Sequence, residues 1–540
     1  MRTSRFAAAT ALLALAVAAC GAPQAVKGGG SAAFEITKDT PPASGPVDSV
    51  TWSLYAEPQS LDYAYAFDYP PNTVLANVCE QLMRVTPDLK LEPGLASAAS
   101  SPDPKRWVYT IRSGVTFHDG SALTADDVVA SLRRHLDPKV GSYWVSAYQN
   151  VKSIEKTGPM EVTVHLKKPD QLFNEEMGTS AGSVESAAFL AKAGTGYGTP
   201  DVGVNCTGPF TLDDWQKGQS ITLKKFDGYW DTTLTPKVNT LKNVFIQDPS
   251  ARVNTMVAGE VDGGYLLPST GFAKLRAATN GKLYFGPSTT AVSLIPTDLQ
   301  GTLGDVRVRK ALSLAFDREG VIKAAAGGAA SPAKAPAAIG AWGIAPEAAK
   351  EYYAKLPALT RDLDAAKKLV QEAGAGGKKI VMATSTVSPE IGVIANAVQS
   401  AGQAIGLQVE LKAIAPDAYT ALFSDPKARE GIDLVMTIWY DSTPDPLEFY
   451  SILRTGAFPN YGGYSNPEYD ALLDEAEAQA DPAARAATVA KLQEIALRDM
   501  VWIPLYEVPH TMFLNKRLTG APTSIAQLQY PWAARLGSAG

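Results

Sequence analysis

A strand–helix–strand segment in the second half of the sequence constrains the fold more than any other feature. Ile380–Thr384 is a β-rich run, and Ser388 and Pro389 follow it as an N-cap and a first helical residue. Apolar residues then recur at helical spacing, Gly406 provides a helix stop, and Leu407–Leu411 alternates as a second strand. This order predicts two parallel strands in a sheet covered by helices, and therefore an α/β fold.

A further strand is predicted at Ile432–Ile438, which is apolar at nearly every position, as expected of a strand buried on both faces. It runs directly into Trp439, Tyr440, Asp441 and Ser442. Ligands of open α/β sheets bind beyond the carboxyl ends of the strands. Aromatic rings offer apolar area with a hydrogen-bonding edge, and a carboxylate pairs with a cation. We therefore predict a binding site at this strand end.

The first half of the sequence predicts a mixed α/β unit. Trp107–Arg112 alternates like a strand, and the helix after it has Thr124 at its N-cap and Asp127 in its first turn. Thr51–Tyr55 is another apolar strand. With 540 residues, of which 46% are hydrophobic and 19% charged, the chain is long enough for two or three compact units.

The charge pattern argues against a polyanionic partner. The net charge is −6, and acidic and basic residues are mixed along the chain rather than gathered in blocks. Binding to nucleic acid relies on a basic surface that neutralises phosphates. We therefore expect no nucleic-acid partner.

The N-terminus predicts a secretory signal that ends in a cysteine. Arg2 and Arg5 form a short basic region, Phe6–Ala16 is almost wholly apolar, and small residues lead into Cys20. This pattern resembles a bacterial lipobox, in which Cys20 is lipidated and becomes the new N-terminus; a plain secretory signal is the alternative. Residues 21–48 are rich in Gly, Ala, Pro and Ser and predict a flexible tether.

Only two other cysteines occur, Cys79 and Cys206. An exported chain meets an oxidising compartment, in which two such residues can form a disulfide. Two separately buried thiols are the alternative, because spacing along the sequence does not establish proximity.

Several short blocks of the sequence carry a resemblance to a known family. The longest joins Phe117–Gly120 to Leu123–Val128. Further blocks follow at Leu91–Ala96, Thr207–Phe210, Ala258–Asp262, Val306–Ala311 with Asp317 and Arg318, and Tyr464–Asp470. All of these are similar, in the same order, to blocks of the bacterial extracellular solute-binding proteins of family 5, the peptide/nickel type that serves ABC importers. Because the blocks extend over most of the chain, the match is far more specific than any single block.

This resemblance implies a two-lobed periplasmic-binding-protein-like fold of type II, or cluster C, with a subdomain inserted in the first lobe. We expect the first lobe at 49–285 with its insertion at about 70–200, the second lobe at 286–500, and a C-terminal return to the first lobe at 501–540. In such a fold a solute is enclosed between the lobes.

The resemblance also implies a binding component of an ABC importer rather than an enzyme. We expect it to capture an oligopeptide or another small polar or cationic solute and to deliver it to the permease subunits. It is expected to act as a monomer without a cofactor, on the periplasmic or cell-surface side of the membrane, held there by its lipid. A surface sensor or chaperone without transport is one alternative; a secreted hydrolase is another, which no motif supports.

The candidate ligand-binding residues are Tyr55, Trp439, Tyr440, Asp441 and Ser442. In peptide-binding members of the family an aspartate lies three residues after the tryptophan, where this sequence has Ser442. The amine contact does not transfer directly to Asp441, because neighbouring extended residues point to opposite sides. A modified sugar or a cationic metabolite is therefore as compatible as a peptide. In an alternative interpretation Trp439 packs in the core and Asp445 only forms a turn.

Other chemically suggestive residues are interpreted as structural. His118 and Asp119 have no nucleophile nearby and are expected to fix a loop. Arg307 and Arg309 are expected to form ion pairs in the second lobe, with carboxylate binding as the alternative. Neither the four histidines nor the separated cysteines have zinc-like spacing, so we expect no metal site.

Overall fold

The computed structural model describes residues 34–540 of the chain. The predicted secretory signal, with Cys20, lies outside these described residues. The described chain is a mixed α/β structure in which two large sheets form the centres of two lobes. The predicted α/β fold class is confirmed.

The segment that precedes the first strand is held against the first lobe. The backbone amide of Thr37 donates to the carbonyl of Phe285 (2.8 Å), and that of Ser44 donates to the carbonyl of Ser538 (2.9 Å). The flexible tether predicted at 21–48 is therefore wrong for residues 34–48, because lobe residues satisfy their backbone groups.

The first lobe is built on a seven-stranded sheet. In spatial order its strands are β10 (Phe210–Gln216), β11 (Ser220–Lys225), β12 (Val238–Phe245), β1 (Val47–Leu54), β13 (Gly263–Tyr265), β21 (His510–Asn515) and β14 (Gly281–Gly286). β1 runs parallel to both β12 and β13. The carboxyl ends of these three strands therefore meet at one edge of the sheet, where ligands of α/β proteins collect.

A subdomain inserted in the first lobe has its own sheet and its own apolar core. The strands of its sheet are β5 (Ala96–Asp103), β6 (Arg106–Ile111), β8 (Glu161–Leu166) and β7 (Val151–Gly158), all antiparallel. Short ladders join β2 (Glu80–Gln81) to β9 (Ser183–Val184), β3 (Met83–Val85) to β4 (Leu91–Pro93), and, near the C-terminus, β22 (Leu518–Thr519) to β23 (Gly537–Ser538). The predicted cap is confirmed, since Thr124 and Asp127 form a capping box.

The second lobe contains a mixed six-stranded sheet. In spatial order its strands are β16 (Ser331–Pro332), β20 (Ile503–Glu507), β15 (Thr290–Pro296), β19 (Leu434–Tyr440), β17 (Lys379–Thr384) and β18 (Gln408–Ala413). β17 and β18 are parallel neighbours, and the helix between them spans Pro389–Ala404. The predicted strand–helix–strand unit is therefore confirmed.

The helices cover both sheets and the insertion. They are α1 (Tyr69–Val78), α2 (Ala125–Arg134), α3 (Leu172–Glu176), α4 (Ala187–Ala193), α5 (Pro249–Ala258), α6 (Phe272–Arg276), α7 (Val306–Ala315), α8 (Arg318–Ala325), α9 (Pro346–Lys355), α10 (Leu363–Glu372), α11 (Pro389–Ala404), α12 (Ala421–Ser424), α13 (Leu447–Ser451), α14 (Pro467–Ala478) and α15 (Pro482–Arg498). Within residues 34–540, none of the helices is long and apolar enough to cross a bilayer.

The chain passes between the lobes at two short connections. Residues 287–289 join β14 to β15, and residues 508–509 join β20 to β21. The return to the first lobe predicted at 501–540 therefore begins later, with β21. The reason is that β20 pairs with β15 and buries its apolar side chains, such as Ile503 and Leu505, in the second-lobe core.

Cys79 and Cys206 form a disulfide whose Cα atoms lie 4.8 Å apart. The bond joins the end of α1 to the segment before β10. Next to it the backbone amide of Gly208 donates to the carbonyl of Val78 (2.9 Å). The predicted bridge is confirmed, and the interpretation as two separate thiols is wrong.

Candidate binding cleft

β19 ends at the boundary between the lobes. Ile438 near its end is 45% exposed, so the prediction of a strand buried on both faces is wrong for this position. Ile438 and Tyr440 share one face, because side chains alternate along a strand. This face is turned toward the first lobe: the Tyr440 hydroxyl donates to the carbonyl of Phe67 (2.6 Å), and the Tyr440 ring lies 5.0 Å from that of Tyr69.

Asp441 follows the strand as a buried carboxyl group with one unsatisfied oxygen. Its Oδ1 accepts a hydrogen bond from the indole Nε1 of Trp439 (3.1 Å), whereas its Oδ2 is buried without a partner. The Trp439 ring also packs edge-on against Phe449 and Trp502 of the second-lobe core. Trp439 therefore belongs partly to the core and also orients Asp441. Burial holds the pKa of Asp441 well above its ordinary value.

Glu448 on α13 fixes the turn after Asp441. Its carboxylate accepts hydrogen bonds from the backbone amides of Ser442 (2.9 Å) and Thr443 (2.7 Å) and from the Thr443 hydroxyl (2.8 Å). Burial raises the pKa of Glu448 despite these donors. The turn also borders a small cavity between the lobes, which is lined by Tyr440, Asp441, Ser442, Thr443 and Pro444 of the second lobe and by Val85, Leu89, Ile525 and Leu528 of the first.

A carboxyl group of the first lobe interacts electrostatically with this turn. Glu176 ends α3 in the inserted subdomain, and burial together with the charge of Glu448 holds its pKa well above its ordinary value. Glu448, Asp445 and Glu176 in turn raise the pKa of Asp441 beyond the effect of burial. We call Asp441, Glu448 and Glu176 the carboxyl cluster. None of the three has an ion-pair partner among residues 34–540.

Asp445 is neutralised within the fold and is distinct from the cluster. It is completely buried, its Oδ2 accepts from Arg485 Nε (2.6 Å), and its Oδ1 accepts from the amide of Leu447 (2.9 Å). Arg485 also lies 3.6 Å from Glu175 of the inserted subdomain. The structural interpretation of Asp445 therefore holds. Burial and the charge of Asp445 raise the pKa of Glu175 to about 7, although Arg485 opposes this shift.

Tyr55 follows β1 on the first-lobe wall of the cleft. Its hydroxyl donates to Asp68 Oδ1 (3.0 Å), which also accepts from the backbone amide of Tyr69 (2.8 Å) at the start of α1. Crowding by the cleft walls raises the pKa of Asp68, which still has exposed surface, and burial raises that of Tyr55. Asp68 thus adds a fourth carboxyl group to the wall opposite Tyr440.

The outer part of the cleft is aromatic. Phe67 and Tyr143 of the first lobe stack with ring centroids 4.4 Å apart and are 39% and 52% exposed. Crowding by the two lobes and, to a smaller extent, the charge of Glu448 raise the pKa of Tyr143 to about 12, although half of its surface stays exposed. Together with Ile438 on the second lobe, these side chains offer apolar surface next to acidic groups.

The two lobes touch each other beside this cleft. Lys168 of the inserted subdomain forms an ion pair with Glu477 of α14 (2.6 Å). The backbone amide of Gln171 donates to the carbonyl of the same Glu477 (2.8 Å). The inserted subdomain and α14 of the second lobe are therefore in direct contact in this arrangement.

The remaining sequence predictions have mixed outcomes. Asp119 accepts hydrogen bonds from Ser121 and Asn205, so its role in fixing a loop is confirmed. Arg307 pairs with Asp305 (2.6 Å) as expected. The ion pair expected for Arg309 is wrong, because its guanidinium donates only to backbone carbonyls, those of residues 303, 304, 499 and 500.

His118 is held in place by the backbone: its Nε2 lies 3.0 Å from the carbonyl oxygen of Gly208, and burial lowers its pKa to about 4. Within the described part of the chain, no group of three or more His, Cys, Asp and Glu side chains is arranged to hold a metal ion.

Comparison with known proteins places the chain among relatives of the same architecture. A family model described as bacterial extracellular solute-binding proteins, family 5 middle, matches residues 90–460. The chain belongs to family 5 of the bacterial extracellular solute-binding proteins. Among curated relatives, the glutathione-binding protein GsiB of Shigella dysenteriae is 28% identical over 473 residues, which are 85% of this chain and 89% of that protein.

Solved structures of family 5 type share the fold of this solute-binding protein. The periplasmic binding protein DppA of Helicobacter pylori, in complex with the peptide STSA, aligns with a TM-score of 0.79 and 20% identity over 92% of this chain and 99% of that one. AgaA of A. tumefaciens, in complex with agropinic acid, aligns with a TM-score of 0.78 and 23% identity over 91% and 99%. These matches agree with the predicted two-lobed fold.

Membership of family 5 confirms the predicted class of function. Proteins of this family bind small solutes or peptides outside the cytoplasm and deliver them to ABC permeases, and they are binding proteins rather than enzymes. The assignment of individual ligand-binding residues stays a prediction. All five candidates, Tyr55 and residues 439–442, nevertheless lie at the junction of the two lobes.

Proposed function

We propose that this family 5 protein captures a small, peptide-like solute through its ammonium group and passes it to an ABC permease. The observation that carries the proposal is the buried Asp441, whose Oδ2 has no partner. Glu448 of the same lobe and Glu176 of the opposite lobe lie close enough to raise the pKa of Asp441. A cation held by groups from both lobes is bound fully only when the lobes are together, which links binding to closure.

The physical argument rests on charge in a site withdrawn from water. Burying a carboxyl group without a partner is costly, and like charges nearby make its ionised form still less favourable. An ammonium ion between Asp441, Glu448 and Glu176 supplies both the counter-charge and hydrogen-bond donors. The side chains of such a solute then have the apolar surface of Phe67 and Tyr143 beside them.

The chemistry of the relatives' ligands supports the same class of solute. Glutathione, named for the curated relatives, and the peptide bound by DppA both carry an ammonium group. Ser442 stands where peptide-binding members of the family have an aspartate. We assign the amine contact in this chain to Asp441, one residue before Ser442, because its buried carboxyl group has an oxygen without a partner.

We further propose that Cys20 carries the lipid that anchors the receptor to the outer face of the membrane. The basic, apolar and small-residue order of the first twenty residues supports this assignment. The receptor then acts as a monomer, with the solute, the permease and the membrane as its partners.

A capture experiment with matched peptide mixtures tests the proposed solute class. The chain without its first twenty residues is incubated with glutathione, with a random tripeptide mixture, or with the same mixture after N-terminal acetylation, and native mass spectrometry reads the retained species. We expect free-amine peptides to be retained at least about tenfold more than acetylated ones, since acetylation removes the cation. The proposal is contradicted if free-amine and acetylated peptides are retained equally, or if no peptide from either mixture is retained.

A further inference from the structure

Arg252 on α5 of the first lobe is a buried cation with two unused hydrogen-bond donors. Its side chain is 4% exposed, and Nη2 donates to the backbone carbonyl of Leu266. Nε and Nη1 are buried without a partner. Such a group is costly in the fold unless something else satisfies it.

The other buried arginines show how this fold normally satisfies a guanidinium. Arg84 pairs with Glu80 and Asp231, and Arg485 pairs with Asp445. Arg309 and Arg318 each donate to at least three acceptors in their own lobe, mainly backbone carbonyls. Arg252 has neither a carboxylate nor a second carbonyl among the described residues.

Arg252 lies at the edge of the first-lobe sheet where α/β proteins collect ligands. α5 follows β12, Tyr55 follows β1 and Leu266 follows β13, so all three lie at the carboxyl edge of the parallel strands of the first lobe. The Arg252 guanidinium lies 5.8 Å from the centre of the Tyr55 ring. Tyr55 in turn binds Asp68 on the cleft wall. The side chain of Tyr55 therefore lies between Arg252 and the cleft wall at Asp68.

The backbone that holds Arg252 is itself unusual and lies at the lobe boundary. Leu266 has a positive φ of 55°, which is uncommon for a residue with a branched side chain. Shortly after it, the Ser269 hydroxyl donates to the carbonyl of Ala325 in the second lobe (2.7 Å). The free donors of Arg252 thus lie near a place where the lobes separate or meet.

We infer that Arg252 binds a carboxylate of the same solute whose ammonium group the carboxyl cluster holds, so that the receptor selects zwitterions. The inference rests on the proposed function, because it assigns the second end of that solute. Arginine is well suited to a carboxylate, since its charge is permanent and its donors are rigidly placed. The two charged ends then fix the orientation of the solute along the cleft, from Asp441 past Asp68 and Tyr55 to Arg252.

The test compares tripeptide mixtures with a free and with an amidated C-terminus. We expect the wild-type chain to retain the free form at least about tenfold more than the amide, because amidation removes the negative charge. Arg252→Met is expected to bring this ratio to about one while the preference for free over acetylated amines persists. Arg252→Lys, which keeps the charge without the planar donors, is expected to give an intermediate ratio.

The melting temperature of the ligand-free protein provides the second measurement. Arg252→Met is expected to keep or raise it, because a poorly satisfied buried charge is removed. The matched control Arg309→Met, also buried, is expected to lower it, because four carbonyl contacts are lost. A wild-type protein that does not distinguish acid from amide, or an Arg252→Met protein that still does, overturns the inference. If instead acetylated amines are retained like free ones, the proposed function itself fails.

Discussion

Replacing Asp441 by asparagine is expected to lower the affinity for free-amine tripeptides by at least about 100-fold. The substitution keeps the size of the side chain and the acceptor for the Trp439 indole, but it removes the carboxyl group that becomes negatively charged when the ammonium ion binds. Glu448 and Glu176 do not replace it, because one holds the turn and the other belongs to the opposite lobe. Isothermal titration calorimetry with a retained tripeptide measures the loss.

A charge change elsewhere on the same lobe serves as the control. Asp364 is exposed on α10, so Asp364→Asn is expected to leave the affinity unchanged. The ligand-free Asp441→Asn protein is expected to melt no lower than the parent, since an unpaired buried acid has been removed. Tight binding by Asp441→Asn would remove Asp441 from the site and leave the amine without an assigned partner.

Loss of the disulfide is expected to have the largest effect on stability. The bond between Cys79 and Cys206 closes a loop with a sequence separation of 127, for which the chain-entropy model gives about 4 to 5 kcal/mol. The loop contains the whole sheet of the inserted subdomain, so the unfolded chain gains much freedom when the bond is absent. Urea unfolding of the Cys79→Ala, Cys206→Ala double variant measures the change.

The reduced wild-type protein is the matched control for the double variant. Both lack the bond, so a reducing agent should destabilise the wild type to the same level and leave the double variant unaffected. If the unfolding midpoint of the double variant equals that of the oxidised parent, the bond does not stabilise the fold as the loop argument requires.

The sequence predicts the elements whose signals are local. The strand–helix–strand unit of the second lobe is specified by a β-rich run, the Ser388–Pro389 start and the Gly406 stop, all within one segment. For Cys79 and Cys206 the sequence predicts a bridge from the export signal and the absence of other spare cysteines, and leaves separate thiols as the alternative that the structure excludes. The end of β19 is predicted as a candidate site because ligands of α/β sheets bind beyond the carboxyl ends of the strands.

The sequence does not predict contacts made between distant segments. The charge of Glu176 acts on Asp441 only because the inserted subdomain packs against the second lobe, and no motif marks it. Ile438 looks like a core residue, and its exposure follows from the cleft that it borders. Arg309 satisfies its charge with backbone carbonyls, which leave no trace in the side-chain sequence. Arg252 stands out only when its missing partners are compared with those of other buried arginines.

Proton release on binding tests most directly whether a solute ammonium group pairs with Asp441. The raised pKa keeps the Asp441 carboxyl protonated in the ligand-free protein at pH values above the ordinary carboxyl pKa of about 4. An ammonium ion favours the charged form, so binding lowers this pKa and expels the proton, and affinity rises with pH through this window.

The measurement is the binding enthalpy of a retained tripeptide at pH 5.5, taken in buffers of different ionisation enthalpy. The account predicts a net release of protons in the wild-type protein that is clearly smaller in Asp441→Asn, because the Asp441 carboxyl no longer contributes. Proton uptake, no release, or a release that Asp441→Asn leaves unchanged would contradict it.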